Sequence, residues 1–498
     1  MGVIAKQSIR GTIVTYLGIA VGIFTTFAVL TRLLSQEDIG LTRVLVDAAT
    51  LFIGLAQLGT NASIIRFYPY FHEKDSDKDH GFFFWTLLVP LIGFLLIALI
   101  YIGCHAPIES WFGDKSPKFV RYYYFVLPLA FFMLYQAIFE TNCNVLMRIV
   151  VPRGVRELGV RIGLLVLYVL YAKDVLSTNG FVIGLCANYA IAALINLCYF
   201  FSLRRIDLHP DWSFLRANKA LVKRYLSYMG FLSVSALPIV LAPIISSFFI
   251  SAQMGLDSTG IFAIATYIAV MVSIPNRSVS AIASPQLARA IKEQNREECS
   301  HLIRQVTRNM LLVGGFILLA IWLNIDLIFH ILPKGSDYVA AKNVVLILGL
   351  SQLILGTFSI GLNALNYSRY YAFSLLFSIL LTTGSILLNS YLVPRYGMIG
   401  AALSNLISYG LYYILIVATV SPLCKIHIID RNWWYIAALL LSVFALNYLW
   451  QTYLPIHHIW LDSILRSVVL LGGSAIIAYL TRLSPEINEQ VTKWFHKS

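Results

Sequence analysis

Polar and charged residues recur at helical spacing inside stretches that are otherwise apolar, and these are the residues able to do chemistry. Arg43, Asp47, Thr50, Gly54, Gln57 and Asn61 follow one another at intervals of three or four, so a single helix places all of them on one face. A polar face inside a membrane-length helix has to meet protein or water rather than lipid. A second stripe, Thr266, Ser273, Arg277, Ser280 and Ser284, lies about 220 residues further on, with Arg277 in register with Gln57. The pairing of the stripes predicts two helices lining one hydrated cavity. Arg43 and Asp47 are one turn apart and form either a structural ion pair or a carboxylate available for coupling. Arg277 has no acid near it in sequence. Its permanent charge suits an oxyanion ligand, a partner such as Glu140, or snorkelling to the inner headgroups. Arg66 closes the first stripe's helix at its inner end, where it either receives an anionic headgroup or anchors the helix.

A third cluster follows. Glu140, Asn144 and Arg148 are spaced by four, and so are Arg153, Glu157 and Arg161 at the start of the next apolar stretch. These two sets line a cavity or tie two helices together. Acids are rare and expensive inside a membrane, so Glu140 and Asp47 are the candidates for coupling to protons or sodium.

The elements that must hold these residues are dictated by composition. Of 498 residues, 58% are hydrophobic and 12% are charged, against roughly a quarter charged in a soluble domain. Apolar runs of spanning length recur throughout. They predict an all-α polytopic membrane protein with about fourteen transmembrane helices, near 12–31, 41–65, 82–103, 120–140, 154–171, 179–201, 226–250, 259–283, 308–331, 339–362, 371–391, 398–420, 433–450 and 463–480. With the N-terminus inside, 27 of the 37 Lys and Arg fall in the inner segments, the asymmetry of a chain with both termini cytoplasmic. The longest polar connections expected are 66–81, 204–225 and 286–307. The first carries the mixed charges of 72–79. The second carries Asp211, Trp212, Lys219, Lys223 and Arg224, read as an interfacial helix or a solvated linker.

An internal repeat sets the larger organisation. Gly40 and Gly260 each open a helix after a short polar turn, and NGFVIGLCAN is echoed by RYGMIGAALSN about 216 residues later. Two pseudo-repeated six-helix lobes around a central cavity follow, 1–210 and 211–421, with an extra helix pair and tail in 422–498. Gly18, Gly22 and Thr25, with Gly11 and Thr15, form a small-residue stripe suited to close packing of the first helix. Pro238 and Pro243 predict a kink in the seventh.

Other chemistries are missing from the pattern. There is no phosphate-binding GxxxxGK[ST] loop, no HExxH and no GxSxG. The six cysteines are scattered without a CxxC pair, so neither a disulfide framework nor a zinc site is expected. No catalytic residue, metal or cofactor is implied. The formal charge of +13 is expected to report cytoplasmic loops and anionic lipid rather than nucleic acid.

The segments TRLLSQEDIG, QLGTNASIIRFYP and PRYGMIGAALSN resemble the multidrug/oligosaccharidyl-lipid/polysaccharide (MOP) exporter superfamily, and most of all its polysaccharide-transporter branch, the O-antigen (Wzx-type) flippases. The resemblance covers nearly the whole chain. It implies movement of an undecaprenyl-pyrophosphate-linked oligosaccharide across the bacterial inner membrane, with a polysaccharide polymerase or glycosyltransferases as candidate partners. Under that reading Arg277, Arg66, Arg148 and Arg161 hold the pyrophosphate, Gln57 and Asn61 line the path, and the isoprenoid lies along the last two helices. Lipid II flippases of the same superfamily carry arginines in the first helix, where 12–31 has no charge here, and Asp-Ala-Phe where this chain has Gly40-Leu41-Thr42. Multidrug exporters normally have twelve helices and an acid in helix 1 or 7, both uncharged here. A scaffold for a polysaccharide synthase would leave the polar stripes without a purpose.

Overall fold

The computed structural model describes residues 14–15, 17–72, 79–203, 208–424, 426–454, 456 and 458–495. Lys6, Arg10, Gly11, His457 and the charged residues 73–78 lie outside them. The fold is all-helical, with no strand among the described residues. Among the described residues, all fourteen expected spans are mostly helical. Ten helices among the described residues are long and apolar enough to cross a membrane, Ala372–Cys424 being two of the expected spans merged at Gly397, whose φ of 57° and ψ of −134° interrupt the helix.

The chain divides into two compact units, Met1–Gly260 and Ile261–Ser498. In the first, α1 is Leu17–Leu33, α2 Gln36–Ala56, α3 Thr60–Phe71, α4 Phe82–Gly103, α5 Val126–Val145, α6 Val160–Ala172, α7 Thr178–Ser202, α8 Lys219–Leu241 and α9 Ile245–Met254. Leu256–Val270, α10, opens at the end of the first unit. The second holds α11 (Ile274–Lys292), α12 (Arg296–Leu323), α13 (Lys342–Tyr367), α14 (Ala372–Cys424), α15 (Arg431–Tyr453), α16 (Ile459–Arg466), α17 (Gly473–Leu480) and α18 (Pro485–Phe495).

Local sequence explains where helices start and stop. Ser35 caps α2: its Oγ accepts from the Asp38 N–H at 3.1 Å and donates to the Asp38 carboxylate at 2.6 Å. Glu37 and Asp38 then place negative charge at the positive end of the helix. The expected helix 41–65 is two helices, because Leu58 and Gly59 take φ of 47° and 68°, a left-handed step that a continuous helix cannot hold. Helix seven also divides, α8 from α9, across 242–244, the segment containing Pro243, while Pro238 stays inside α8. The polar connection expected over 286–307 is mostly helix: Asn295 caps α12 by accepting from the Glu298 N–H, so α12 begins twelve residues before the expected span.

Close approaches are met by glycine. Gly40 and Gly260, both in the first unit, face each other reciprocally. A Cβ on Gly40 would overlap the Leu256 carbonyl oxygen, and one on Gly260 the Gln36 carbonyl oxygen. The α1 stripe works the same way: a Cβ on Gly18 would lie 2.7 Å from the Glu157 carbonyl oxygen and one on Gly22 2.5 Å from Arg161 Nη1. The stripe therefore seats the charged segment preceding α6.

The linker before α8 is anchored rather than merely solvated. His80 Nδ1 lies 2.8 Å from Asp211 Oδ2, and its ring stacks on Phe214 at 4.0 Å. The Ser213 hydroxyl, the Phe214 N–H and His80 hold the Asp211 carboxyl below the ordinary carboxylate range. A lowered pKa contributes stability that stands above the unfolded value of about 4 and is lost as pH falls through the folded one. Thermal unfolding followed by tryptophan fluorescence should therefore show a steeper loss below pH ~4 for the parent than for Asp211→Asn. Identical acid limbs would exclude the latch.

Candidate functional site

The first unit contains a cavity of about 530 Å³. Its polar lining comes from five chain segments: Thr50 of α2, Asn61 of α3, Gln136, Glu140, Thr141 and Asn144 of α5, Arg156 and Arg161 around the start of α6, and Tyr189 of α7. Residues Val155–Gly159 form one π-helical turn. The wider turn brings both Arg156 and Glu157 into the cluster, whereas α-helical spacing directs Arg153, Glu157 and Arg161 to one face and Arg156 away from it. Glu140 is buried and accepts from Arg156 Nη1 at 2.8 Å. Arg156 also reaches Glu157 at 3.0 Å, and Arg161 meets Glu157 at 3.2 Å while donating to the Gly18 carbonyl. Arg153 adds a further positive charge near Glu140. Three guanidinium groups and two carboxylates leave the cluster with one net positive charge.

Removal of one partner of such a pair strands the other charge, whereas removal of both costs less. Glu140→Gln is expected to lower the thermal midpoint, and the Glu140→Gln/Arg156→Met double variant to recover part of it. Because Arg156 is half exposed, the coupling should be on the order of 1–2 kcal/mol. Strictly additive losses would mean that the two side chains act independently.

Gln57, Arg43, Asp47, Arg66 and Arg148, expected with these residues, do not line the cavity. Gln57 Oε1 accepts from Asn61 Nδ2 at 3.0 Å, and Asn61 Oδ1 accepts from the Thr141 hydroxyl at 3.2 Å, so the broken helix is tied to α5. Gly54 does not face water: a Cβ there would meet Val240 of α8 at 3.1 Å. Arg43 Nε and Asp47 Oδ2 form an ion pair at 2.7 Å, one helical turn apart and largely buried. Arg66 is exposed and lies over the Tyr228 ring at 4.2 Å. Arg148 does not share a helix face with Glu140 and Asn144, because α5 ends at Val145 and Met147 takes a φ of 58°. Arg148 is exposed and does not line the cavity.

In the second unit, the stripe expected on one face resolves into two. Ser273, Ser280 and Ser284 belong to a polar seam with α13. The Ser273 hydroxyl donates to Gln352 at 2.9 Å, Asn276 accepts from both Ser280 and Ser359 at 2.9 Å, and Asn363 donates to Ser284 at 3.0 Å. Thr266 bonds back to the Phe262 carbonyl of its own helix. Arg277 stands apart from this seam. It is exposed and makes no hydrogen bond or ion pair among the described residues. The expected alternative partner, Glu140, is held by Arg156 instead.

The second unit also contains an apolar groove of about 1150 Å³. Phe316 and Ile317 of α12, Leu471, Ile476 of α17 and Ile487 of α18 contribute to its wall. The last helix pair is fixed beside it by Arg466, which is buried and pairs with Asp462 at 2.7 Å and Asn447 at 3.3 Å.

Comparisons place this geometry among known proteins. Residues 8–289, more than half of the chain, match the family model described as "Polysaccharide biosynthesis protein". No curated protein gives a significant sequence match. Among solved structures, the lipid II flippase MurJ in an inward closed conformation superimposes with a TM-score of 0.70 at 14% identity, over 96% of this chain and 100% of that one. An inward-facing multidrug resistance MATE family transporter of the MOP superfamily gives 0.56 at 14% identity, over 79% and 92%. A MOP superfamily transporter from Pyrococcus furiosus gives 0.53 at 15%, over 85% and 96%. At these identities the structures share the fold, and the family model supplies the kinship. The chain thus belongs to the polysaccharide biosynthesis family, in the polysaccharide-transporter branch of the MOP exporter superfamily.

Proposed function

We propose that this protein is a flippase that moves an undecaprenyl-pyrophosphate-linked oligosaccharide, an O-antigen, capsule or exopolysaccharide unit, from the inner to the outer leaflet of the bacterial cytoplasmic membrane by alternating access. Both termini are cytoplasmic in this reading, and the chain performs binding and conformational change rather than catalysis. The observation that carries it is Arg277: a guanidinium on a membrane-length helix, exposed and without a protein partner among the described residues. A charge so placed requires water or an anion beside it, and a pyrophosphate accepts its fork of donors in pairs. The net positive cluster around Arg156 and Arg161 suits the same substrate class. Gln57 and Asn61 offer amide groups to sugar hydroxyls, and Arg66, stacked on Tyr228, stands where a headgroup enters. Glu140 and Asp47 are the carboxylates for coupling. The apolar groove beside the last helix pair suits the isoprenoid.

A second reading, lipid II transport, is favoured by the full-length likeness to MurJ. The uncharged stretch 12–31 speaks against it. The test is a deletion strain of the source bacterium, scored for surface polysaccharide, extracted lipid-linked oligosaccharide and sensitivity to cationic dyes. Loss of surface glycan with the intermediate retained on the inner leaflet is expected. Unchanged glycan with raised dye sensitivity would replace the proposal with drug export, and a peptidoglycan defect with intact glycan would favour lipid II.

A further inference from the structure

The second unit also contains a recess of about 550 Å³ that none of the expected site residues lines. Three chain segments bring a cation to it: Lys292 at the end of α11, Arg296 at the start of α12, and Arg369 in the turn after α13. Among the described residues no carboxylate lines it. Of the nearby acids, Glu293 bonds Arg289 at 2.8 Å, Glu298 accepts from its cap Asn295, and Glu297 is exposed and does not line the recess. Lys292 and Arg296 are exposed and enter no ion pair or hydrogen bond among the described residues, and Arg369 bonds only the neighbouring Tyr370 hydroxyl, at 2.6 Å. Basic residues at this end of the spans satisfy the charge asymmetry of the chain wherever they sit. Their convergence on one recess is a different matter, since three like charges without a counter-ion repel one another and an anion relieves that repulsion.

The recess suits a phosphate on a lipid scaffold. Its walls add Tyr367 and Tyr370, residues typical of the headgroup level, and an apolar side formed by Ile291, Leu423 and Ile426. We infer that the recess bounded by Lys292, Arg296 and Arg369 is a binding site for a phosphate-bearing anion, taken from an anionic lipid headgroup or from free phosphate. The site is separate from the transport reading and stands or falls without it.

Cys424, half-buried in the recess wall, supplies the readout. In full-length protein with Cys104→Ser and Cys198→Ser, alkylation of Cys424 by N-ethylmaleimide is followed in neutral detergent. Dioctanoyl phosphatidylglycerol, dioctanoyl phosphatidylcholine and inorganic pyrophosphate are the probes, with lipid adducts counted by native mass spectrometry. Phosphatidylglycerol should slow alkylation and phosphatidylcholine should not. Protection by pyrophosphate as well would identify the bare anion as sufficient, and protection by phosphatidylglycerol alone would identify the lipid headgroup as the source. Each basic residue near an anionic headgroup is worth about five-fold in affinity, so Lys292→Gln/Arg296→Gln/Arg369→Gln should weaken protection on the order of 100-fold. All three side chains are exposed, and an unchanged thermal midpoint verifies the fold. Arg296→Gln alone, expected to lose about five-fold, serves if the triple variant does not accumulate. Equal protection by both lipids, no protection by either anion, or full protection in the variants would overturn the site.

Discussion

Replacement of Arg277 by alanine is expected to abolish surface glycan while leaving the protein in the membrane at normal abundance. The side chain is exposed and makes no hydrogen bond or ion pair among the described residues, so its removal should cost the fold little. Under the proposed function it would cost the anchor for the pyrophosphate. A hydrogen bond to a charged group contributes about 1.5–3 kcal/mol, so transport should fall by about 10- to 100-fold even if only one such bond is lost. Lysine at the same position keeps the charge but not the planar fork, and an intermediate rate is expected. Quantified surface polysaccharide beside an immunoblot of the membrane fraction separates loss of transport from loss of protein. Normal glycan in a well-expressed Arg277→Ala strain would remove this residue from the substrate path.

The second large effect is structural. Valine at Gly40 should prevent accumulation of stably folded protein, and valine at Gly260 should do the same. In each case the new Cβ falls within the radius of a backbone carbonyl oxygen, of Leu256 or of Gln36. A backbone cannot rotate out of the way as a side chain does, so the helices themselves must separate. Overpacking in a well-packed interior typically costs about 1–3 kcal/mol, and the contact with main chain places these sites at the upper end or beyond. Gly54→Ala is the matched control, because its neighbours are the side-chain methyl groups of Val240 at 3.1 Å rather than main chain. Detergent-solubilised thermal midpoints should rank the parent above Gly54→Ala, and Gly54→Ala above Gly40→Val. A Gly40→Val protein as stable as the parent would show that the helix ends separate freely.

The fourteen spans were legible because membrane helices are written in runs of apolar residues, and a run is visible without knowing its neighbours. The polar start of α12 was not: residues 296–307 are helical through an Asn295 cap and charged faces, neither of which raises hydropathy. The stripe from Arg43 to Asn61 keeps helical spacing throughout, and spacing alone does not reveal a break between its members. Whether Gly59 takes a left-handed φ is set by the backbone around it. The same limit hid Arg156, which only the π-turn over Val155–Gly159 brings to Glu140, and misplaced Arg148, which follows the left-handed Met147. Local pairs survived the reading best. Arg43 and Asp47 meet at 2.7 Å as their spacing requires, whereas partners contributed by other helices, such as Thr141 for Asn61, left no mark in the sequence.

The reciprocal packing of Gly40 and Gly260 has a consequence for how such a chain arises. Each glycine covers the carbonyl of the residue four positions before the other, Leu256 for Gly40 and Gln36 for Gly260, and both relations are offset by the same 220 residues. This is the signature of an isologous interface, in which one patch is its own complement, as across the two-fold axis of a homodimer. Duplication within a polypeptide preserves such a patch while replacing a concentration-dependent encounter by a tethered one. The tether also changes the genetics. In a dimer one mutation strikes both sides of the axis at once, but here each glycine can be altered alone, so the contributions of the two sides can be dissected one at a time.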